Sequence, residues 1–509
     1  MEEQTRNNMV DKSNLAYKFQ EVEKEINYTY LPDKLKYTSV SLTEILNNKL
    51  RLEANAFNLE AKTAKEKVLN NKYGFINLWS KNGLVDNAFY PGRFKRIYVS
   101  KKEGKPFFLP SQMTEIKPKA TKFISPKTYK TLNGIEIVKD NLLMSRSGTI
   151  GRCTISSKTN IGKLYSDDII RVGFKNKYDL GYTYAFFQTT DGQLILQTNN
   201  YGAVVKHIEP EHLQSIIIPN APEQLKREIH ELVVTSYELR DESNDLIDEA
   251  EQILYKELQL KPIEELKTEY FDNSVELRNY TTKLSDLRLR FDGSFHIPIV
   301  KQVESALKLN AKELVKLSDL SLTNDIVLPG RFSRTYVDKE NGVQFLGGRD
   351  LFQLSPTTEK YLSKVVHKKQ IEGDLKISKN DILTPSRGTI GKVVLAPEHF
   401  SDKAISDNII NIRPTNENVA GYLFSILNSE YGSILIKRQI YGGVVDAMEP
   451  TMLSSIDIPL LKNERKQKEI NDLVLKANEL RYQAHLKEQE AIKKMEEIID
   501  NKTSLHTKR

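Results

Sequence analysis

The chain has 509 residues, of which 39% are hydrophobic and 8% aromatic, so it can build the cores of two to four domains. No segment approaches the roughly 18 consecutive apolar residues of a membrane span, and the polar N-terminus is unlike a signal peptide. The one cysteine, Cys153, excludes an intrachain disulfide, and we expect a cytoplasmic protein.

The net charge of +7 is unevenly distributed along the chain. Residues 71–160 hold 17 Lys and Arg against 5 Asp and Glu, whereas residues 221–260 hold 4 against 11. A basic block beside an acidic block indicates that the two segments contact different partners. A solvated surface is the alternative for both blocks.

Residues 1–38 are predicted to be an N-terminal extension, and residues 39–220 a first domain of mixed strands and turns. Short β-rich runs such as 168–172 lie among Gly, Asn and Asp turn signals. The domain ends on the run Ile216 to Pro219, after which the pattern becomes helical.

Basic residues cluster in three loops of this domain, after a Pro-Gly turn, around a Gly-Thr-Ile-Gly turn and after a Tyr-Gly pair. Arginine forks suit phosphates and guanine edges, so these residues are candidate DNA contacts, with salt-bridged surface turns as the alternative. The glycines of the turns are predicted to be structural. The candidates are Arg93, Lys95, Arg96, Arg146, Arg152 and Lys206.

Residues 221–284 are predicted to form a central spacer that begins with a long helix. From Leu225 a leucine column runs at heptad spacing beside a column of small residues, which is typical of a coiled-coil seam. The predicted seam residues are Leu232, Ser236, Leu239, Ser243, Leu246 and Ala250.

The second half of the chain repeats the first in the same order. Residues 328–337 repeat 90–99, residues 388–391 repeat 148–151, and residues 406–410 repeat 166–170, at offsets of 238 to 240. The chain is therefore a tandem duplication, and residues 285–460 are predicted to form the second domain. Its candidate DNA contacts are Arg331, Arg334, Arg387 and Lys392.

Residues 461–509 are predicted to form a C-terminal spacer helix with seam residues Leu473, Ala477, Leu480, Ala484 and Ala491. Its small residues match those of the first helix at an offset of 241, which predicts a tight antiparallel coiled coil. The alternative is that each helix covers its own domain. We expect two mixed α/β, β-rich domains separated by an antiparallel coiled-coil spacer.

Motifs of catalysis are missing from the sequence. No Gly-x-Gly triplet occurs, and the segment 388–392 lacks the first glycine of a phosphate-binding loop because Ser386 occupies that position. A single cysteine excludes a zinc finger. We predict no catalytic residue and no metal site, which favours binding over catalysis.

The duplicated order of motifs resembles the specificity (S) subunit of type I restriction–modification systems. A Gly-Thr-Ile-Gly turn, a glycine-containing loop, Glu-Pro, Ile-x-Ile-Pro and a long helix follow one another in each half, and the resemblance covers the chain from about residue 38. Residues 222–224 match the start of the family's helix, whereas 463–465 depart from it. Residues 51–53 and 290–292 resemble the motif at which each domain begins.

This resemblance implies two target-recognition domains, each reading one half of a split site on double-stranded DNA. It also implies that the helices dock two methyltransferase subunits and, through them, restriction motor-nuclease subunits, for phage defence. No cofactor would bind this chain directly, because S-adenosylmethionine, ATP and Mg would belong to the partner subunits.

Three other interpretations stay open from the residues alone. A stand-alone nuclease or methyltransferase with unrecognised motifs would be active on DNA without partners. A coiled-coil scaffold would show no sequence preference on DNA. A related phage-defence system could also use such a specificity subunit.

Overall fold

A computed structural model of the chain describes residues 39–47, 57–198, 207–270, 280–287, 289–356, 358–442 and 446–501. The predicted extension 1–38, the motif at 51–53 and Lys206 lie outside these ranges. The described residues form two mixed α/β domains and two long helices, as the sequence predicts. Among them, no helix combines the length and the apolar character that crossing a bilayer requires.

The first domain carries five helices and ten strands among its described residues. Its helices are α1 Leu42–Asn47, α2 Leu59–Leu69, α3 Pro126–Tyr129, α4 Lys177–Gln188 and α5 Thr190–Gln197. Its strands are β1 Phe75–Asn77, β2 Val85–Phe89, β3 Tyr98–Val99, β4 Lys105–Phe108, β5 Lys122–Ile124, β6 Asn141–Ser145, β7 Cys153–Ile155, β8 Leu164–Tyr165, β9 Ile169–Phe174 and β10 Ile217–Pro219.

The long helix α6 Glu223–Leu258 and the short helix α7 Ile263–Tyr270 lead into the second domain, and α13 Glu464–Ile499 follows it. The helices of this domain are α8 Pro298–Asn310, α9 Lys368–Glu372, α10 Glu417–Asn428, α11 Glu430–Arg438 and α12 Pro450–Ser454. Its strands are β11 Ala311–Lys316, β12 Thr323–Val327, β13 Tyr336–Val337, β14 Gly342–Leu346, β15 Tyr361–Ser363, β16 Ile382–Pro385, β17 Val394–Leu395, β18 Ala404–Ile405, β19 Ile409–Pro414 and β20 Asp457–Leu461.

The two domains have the same strand order in all three of their described sheets. The first contains β2-β9-β6-β7, β3-β5-β4-β8 and β1-β10, and the second contains β12-β19-β16-β17, β13-β15-β14-β18 and β11-β20. In each domain one pair, β4 with β8 or β14 with β18, is parallel, and the other pairs are antiparallel. The repeated motifs therefore occupy matching places in two similar folds.

The Gly-Thr-Ile-Gly turns join β6 to β7 and β16 to β17. Gly148 and Gly151 have φ of 75° and 80°, and Gly388 and Gly391 have 77° and 95°. Only glycine adopts this left-handed region without strain, so the predicted structural role of these glycines is confirmed.

Helices α6 and α13 have 36 residues each, about 54 Å at about 1.5 Å per residue, and they pack antiparallel. Lys494 near the end of α13 lies 3.4 Å from Glu228 near the start of α6, whereas Arg481 lies 3.3 Å from Ser243 at the centre. The predicted antiparallel coiled coil is thus confirmed. The small residues Ser236, Ser243, Ala250, Ala477, Ala484 and Ala491 are all fully buried.

The buried serine hydroxyls of the seam are satisfied within their own helix. Ser236 Oγ donates to the Val233 carbonyl oxygen at 2.8 Å, and Ser243 Oγ donates to the Arg240 carbonyl oxygen at 2.7 Å. The two backbones can therefore approach closely without leaving a polar group unpaired.

The leucine columns lie at the edge of the seam and not at its centre. Residues Leu232, Leu239, Leu246 and Leu473 are only half-buried, although Leu480 is 8% exposed. Polar residues are buried on the same helices because the domains pack against their sides as well.

Each long helix contacts both domains. Helix α4 packs along α6 and α10 along α13, while Ala491 and Ile498 of α13 join the core of the first domain. Leu254 and Leu258 of α6 join the core of the second domain. The predicted coiled coil and its alternative, in which the helices cover the domains, therefore both apply, because the helices pair with each other and also pack on the domains.

A buried ion pair lies between the two helices. Arg240 Nη2 donates to Glu488 Oε2 at 2.7 Å, with side chains 4% and 1% exposed. Tyr184 donates to the other carboxylate oxygen, and Ser355 Oγ donates to Oε2 at 2.6 Å. Burial alone would raise the pKa of Glu488, but the Arg240 guanidinium and these hydrogen bonds hold it below its usual value.

The two domains also touch directly. Residues 114–116 run antiparallel to residues 352–354, with Glu115 opposite Gln353 and main-chain hydrogen bonds of 2.8 and 2.9 Å on either side. These segments are equivalent under the duplication, at an offset of 238. An approximate twofold axis therefore passes between Glu115 and Gln353, and the domains are linked here as well as through the helices.

Replacing Glu488 by alanine leaves the Arg240 guanidinium buried without a counter-charge. We expect Glu488→Ala to lower the free energy of unfolding by about 3–5 kcal/mol, measured by urea denaturation. The exposed Glu490, which pairs with Lys487 on the surface of α13, is the control. Glu490→Gln should change the unfolding free energy by less than about 0.5 kcal/mol, and equal effects of the two variants would contradict a structural role for the buried pair.

Two stacked histidines join the second domain to α13. The rings of His399 and His485 lie 4.0 Å apart, and neither Nδ1 atom has a hydrogen-bond partner among the described residues. Burial, reinforced by the charges of Lys403 and Arg240, lowers the pKa of His399 to about 2 and that of His485 to about 4. Both imidazoles are therefore neutral in the folded protein near pH 7.

These histidines predict a loss of stability in mild acid. Because their folded pKa values lie below the unfolded value of about 6.5, the unfolded chain takes up protons first as the pH falls. The free energy of unfolding should be constant above about pH 6.5 and fall by up to about 3 kcal/mol per pH unit towards pH 5. Denaturation of the His399→Phe, His485→Phe double variant should show a shallower dependence, and an unchanged slope would reject this origin.

Candidate nucleic-acid interface

The Pro-Gly turns lie in irregular loops that connect two sheets of each domain. Residues 90–97 run from β2 to β3, and residues 328–335 run from β12 to β13. Arg93, Lys95 and Arg331 are exposed on these loops and make no hydrogen bond or ion pair with another described residue. Their charges are therefore available to an anionic partner.

The next arginine of each loop is held by the protein itself. Arg96 Nη2 donates to Asp167 Oδ1 at 2.6 Å, and its guanidinium lies 5.5 Å from the Phe107 ring centre. Arg334 repeats the arrangement with Asp407, also at 2.6 Å. Burial opposes the charge of Arg96, but the ion pair raises its pKa above the usual value. For these two candidates the geometry favours the structural alternative.

An exposed tyrosine follows each loop. Tyr98 and Tyr336 are 45% and 43% exposed, and each meets a buried phenylalanine ring of the same sheet. Lys122 Nζ lies 5.1 Å from the Tyr98 ring centre. Neither tyrosine is among the residues predicted from the sequence to contact DNA, although the position of both within the repeated segments could have indicated them. Exposed aromatic rings beside cations are typical of nucleic-acid surfaces.

We call this surface the basic-aromatic edge of each domain. In the first domain it consists of Arg93, Lys95, Tyr98 and Lys122, and in the second of Arg331 and Tyr336. The first edge therefore carries more positive charge than the second, in line with the basic block at 71–160.

The arginines that precede the Gly-Thr-Ile-Gly turns differ between the domains. Arg146 is 9% exposed, contacts Glu209 through two guanidinium nitrogens and lies 4.3 Å from the Tyr90 ring centre. In the second domain the equivalent position is Ser386, and Glu449 there accepts a hydrogen bond from Tyr441 at 2.7 Å. Arg387 stands one residue further on, where the first domain has Ser147, and it is exposed. Of the two, Arg387 is the one placed to reach a ligand.

The basic residues that follow these turns face the junction between the domains. Lys392 Nζ lies 3.1 Å from Glu115 Oε2 and 5.4 Å from the Phe352 ring centre. Arg152 is half-buried, and burial together with the charge of Arg349 lowers its pKa. The predicted contact with DNA therefore rests on the exposed loops more than on these two residues.

Part of the acidic block binds the basic block of the same chain. Lys117 lies 2.6 Å from Asp248, and Lys158 lies 2.7 Å from Asp245, both carboxylates being on α6. Asp241 accepts a hydrogen bond from Ser157 Oγ at 3.1 Å. Opposite charge in the two blocks thus serves partly to dock the first domain on its helix.

Groups suited to metal or covalent catalysis are not assembled in the described residues. No cluster of three or more His, Cys, Asp or Glu side chains that could hold a metal ion occurs in this part of the chain. Cys153 is buried, and burial raises the pKa of its thiol.

No protein-family model and no curated protein matches the sequence. Among solved structures, the type I restriction-modification S subunit from M. genitalium is 10% identical, with 85% of this chain and 97% of that chain covered and a TM-score of 0.32. The HsdS subunit from Thermoanaerobacter tengcongensis is 12% identical, with 85% and 98% covered and a TM-score of 0.24.

A chain from a structure on complex assembly of the type I restriction-modification system is also 12% identical, with 82% of this chain and 97% of that chain covered and a TM-score of 0.25. These solved structures come from the class of system that the sequence motifs resemble.

Two arginines of the first loop, Arg93 and Arg96, should differ in their effect on stability. Arg96→Ala leaves Asp167, whose side chain is 9% exposed, without its partner, so we expect a loss of about 1–3 kcal/mol in unfolding free energy by urea denaturation. Arg93→Ala is the matched control and should change it by less than about 0.5 kcal/mol. If the two variants are equally stable, the ion pair with Asp167 has no structural role, and Arg96 would again be a candidate contact with DNA.

Proposed function

We propose that the chain is the DNA-recognition subunit of a type I restriction–modification complex, in which each domain reads one half of a bipartite site. The observation that supports this most is the pair of similar domains related by an approximate twofold axis, each with an exposed basic-aromatic edge. The strands of duplex DNA are related by twofold axes as well, so two such domains can meet opposite strands in equivalent orientations.

The two domains are similar in fold but not in their exposed residues. Ser333 replaces Lys95, and the exposed Arg387 occupies the place of Ser147, whereas the buried Arg146 is replaced by Ser386. Because base edges are distinguished by the side chains that reach them, two different edges would read two different half-sites. The recognised sequence would therefore be asymmetric, with a gap between the halves that neither domain contacts.

The paired helices are the proposed docking site for methyltransferase subunits. The approximate twofold axis relates α6 to α13, so any surface on one helix has a counterpart on the other, which suits two copies of one partner. S-adenosylmethionine would be bound by those partners, and ATP and Mg by motor-nuclease subunits that join the complex through them.

A selection from random duplex DNA, with the partner methyltransferase present, tests the split readout. We expect a bipartite, asymmetric motif with a neutral gap, and replacement of residues 39–220 by another domain of this type should change one half only. A single contiguous motif would contradict the proposal. Methylation or cleavage of DNA by the purified chain alone would instead establish a stand-alone enzyme.

Single loop variants should affect one half-site each. Arg93→Ala should weaken binding by about 1–3 kcal/mol if it contacts a base, and should make the dependence on salt shallower if it contacts a phosphate. Arg331→Ala should act on the other half. Titrations at several salt concentrations, with each half-site of the DNA mutated in turn, show which half-site each arginine contacts. If the Arg93→Ala, Arg331→Ala double variant binds with unchanged affinity and salt dependence, neither loop belongs to the interface with DNA.

A further inference from the structure

A cavity of about 250 Å³ lies between the two domains and the helix pair. One part of its wall is apolar and includes Phe352 and Phe424, and another part is strongly basic. The single carboxylate among the described lining residues is that of Glu115. The cationic lining residues are Lys117, Lys119, Lys392, Lys437 and Arg481.

Arg481 is the cation whose charge is least compensated. Its side chain is 8% exposed, and its hydrogen bonds go to two neutral acceptors, Ser243 Oγ and Asn244 Oδ1, each at 3.3 Å. No carboxylate pairs with it among the described residues, and burial lowers its pKa to about 10. A buried guanidinium without a counter-ion is costly, so the site favours an anion.

The duplication supplies an internal comparison. Arg240 is the counterpart of Arg481 at the offset of 241, and it is neutralised by Glu488. The counterpart of Glu488 is Ile247, which lines the basic cavity. The equivalent cavity in the first half is lined by Tyr184 and Ser355, the two residues that bind the Glu488 carboxylate. The Glu488 carboxylate is thus bound by two wall residues of the first cavity, whereas the basic cavity has the apolar Ile247 at the equivalent position.

The carboxylates around the basic cavity neutralise only some of its lining cations. Glu115 is paired with Lys392 at 3.1 Å, and Asp248 with Lys117 at 2.6 Å. Glu251 influences Lys117 and Lys119 electrostatically, and Glu430 influences Lys119, but neither carboxylate forms an ion pair with these lysines.

Two further lysines lack a carboxylate partner among the described residues. Lys119 Nζ donates to the Asn428 carbonyl oxygen at 2.7 Å and forms no ion pair, and Lys437 is exposed and forms none either. Lys119, Lys437 and Arg481 are thus three cations of the cavity wall that no described carboxylate pairs with.

We propose that this cavity binds a small phosphate monoester, with the phosphate against Arg481, Lys119 and Lys437 and an aromatic group against Phe352 and Phe424. A phosphate monoester carries about −1.5 to −2 charges and offers three acceptor oxygens, which suits several cations better than a single carboxylate would. Because the volume lies just below the roughly 300 Å³ at which pockets for drug-sized ligands begin, a nucleoside monophosphate, with its single phosphate, is the largest nucleotide we expect it to admit.

Calorimetric titration of the full chain with adenosine 5′-monophosphate, inorganic phosphate and adenosine tests this. We expect saturable binding of the nucleotide at one site, weaker binding of inorganic phosphate, and none of adenosine. Lys437→Gln should weaken nucleotide binding roughly tenfold, because it removes one charge-assisted contact. Lys493→Gln is the matched control, since this exposed lysine lies on α13 about 18 Å from Arg481, and it should leave binding unchanged.

Ile247→Glu gives the sharper test, because it places a carboxylate in the wall of this cavity at the position equivalent to Glu488. Binding of the nucleotide should be lost in Ile247→Glu and retained in Ile247→Gln, which has the same size without the charge. If Ile247→Glu does not fold, Lys437→Gln decides the matter.

Three results would overturn the proposal. They are the absence of saturable nucleotide binding to the unmodified chain, nucleotide binding that Lys437→Gln leaves unchanged, and competitive displacement of the nucleotide by duplex DNA. The last would assign the cavity to a backbone phosphate of DNA.

Discussion

The buried contact between Arg240 and Glu488 lies where four parts of the molecule meet. The guanidinium belongs to α6 and the carboxylate to α13, while Tyr184 of the first domain and Ser355 of the second donate hydrogen bonds to the same carboxylate. A charge pair of this kind adds little net stability compared with apolar residues, but it strongly disfavours any arrangement in which one member is unpaired. Sliding one helix along the other by a heptad would bury both charges without partners. We infer that this contact fixes the register of the helices and, through it, the positions of the domains.

The small residues of the seam and the domain contact at Glu115 and Gln353 depend on that register. Ser243 and Ala484 allow the helices to approach closely only when small side chains face each other, so a shift by anything other than a multiple of seven residues would bring larger side chains against the opposite backbone. The main-chain bridge between residues 114–116 and 352–354 likewise forms at one relative placement of the domains. Electrostatics, packing and hydrogen bonding therefore select the same arrangement, which is expected of a sequence with a single native state.

Much of the fold follows from the sequence because the duplication is visible in it. Repeated blocks such as Gly148 to Gly151 indicate equivalent turns, and heptad spacing with small residues indicates a close antiparallel pair of helices. The burial of Arg240 was not predictable, because arginine on a helix is normally read as a surface residue. Its carboxylate partner is 248 positions away, and no local pattern connects the two.

The candidate site was predictable only in part. The sequence identifies the loop that carries Arg93 and Arg96 but does not show which of the two arginines is free to bind a ligand. That depends on the ion pair of Arg96 with Asp167, which is 71 residues away. Tyr98 was missed because an aromatic residue in a short strand is more often buried than exposed. In both cases the deciding factor is the tertiary environment and not the residue type.

The end of α13 returns to the beginning of the first domain. Asn71 Nδ2 donates to the Ile498 carbonyl oxygen at 2.6 Å, and the Lys72 amide donates to the Asn501 carbonyl oxygen at 2.9 Å. The described fold is therefore closed into a ring, in which each domain is followed by a helix that ends on the other domain. In such a ring neither domain is intrinsically first, so a chain that is opened between α7 and α8, with a linker from the end of α13 to the start of α2, would keep the contacts between the domains and the helices described above. The packing of the assembled molecule therefore does not determine which of the two domains comes first in the sequence.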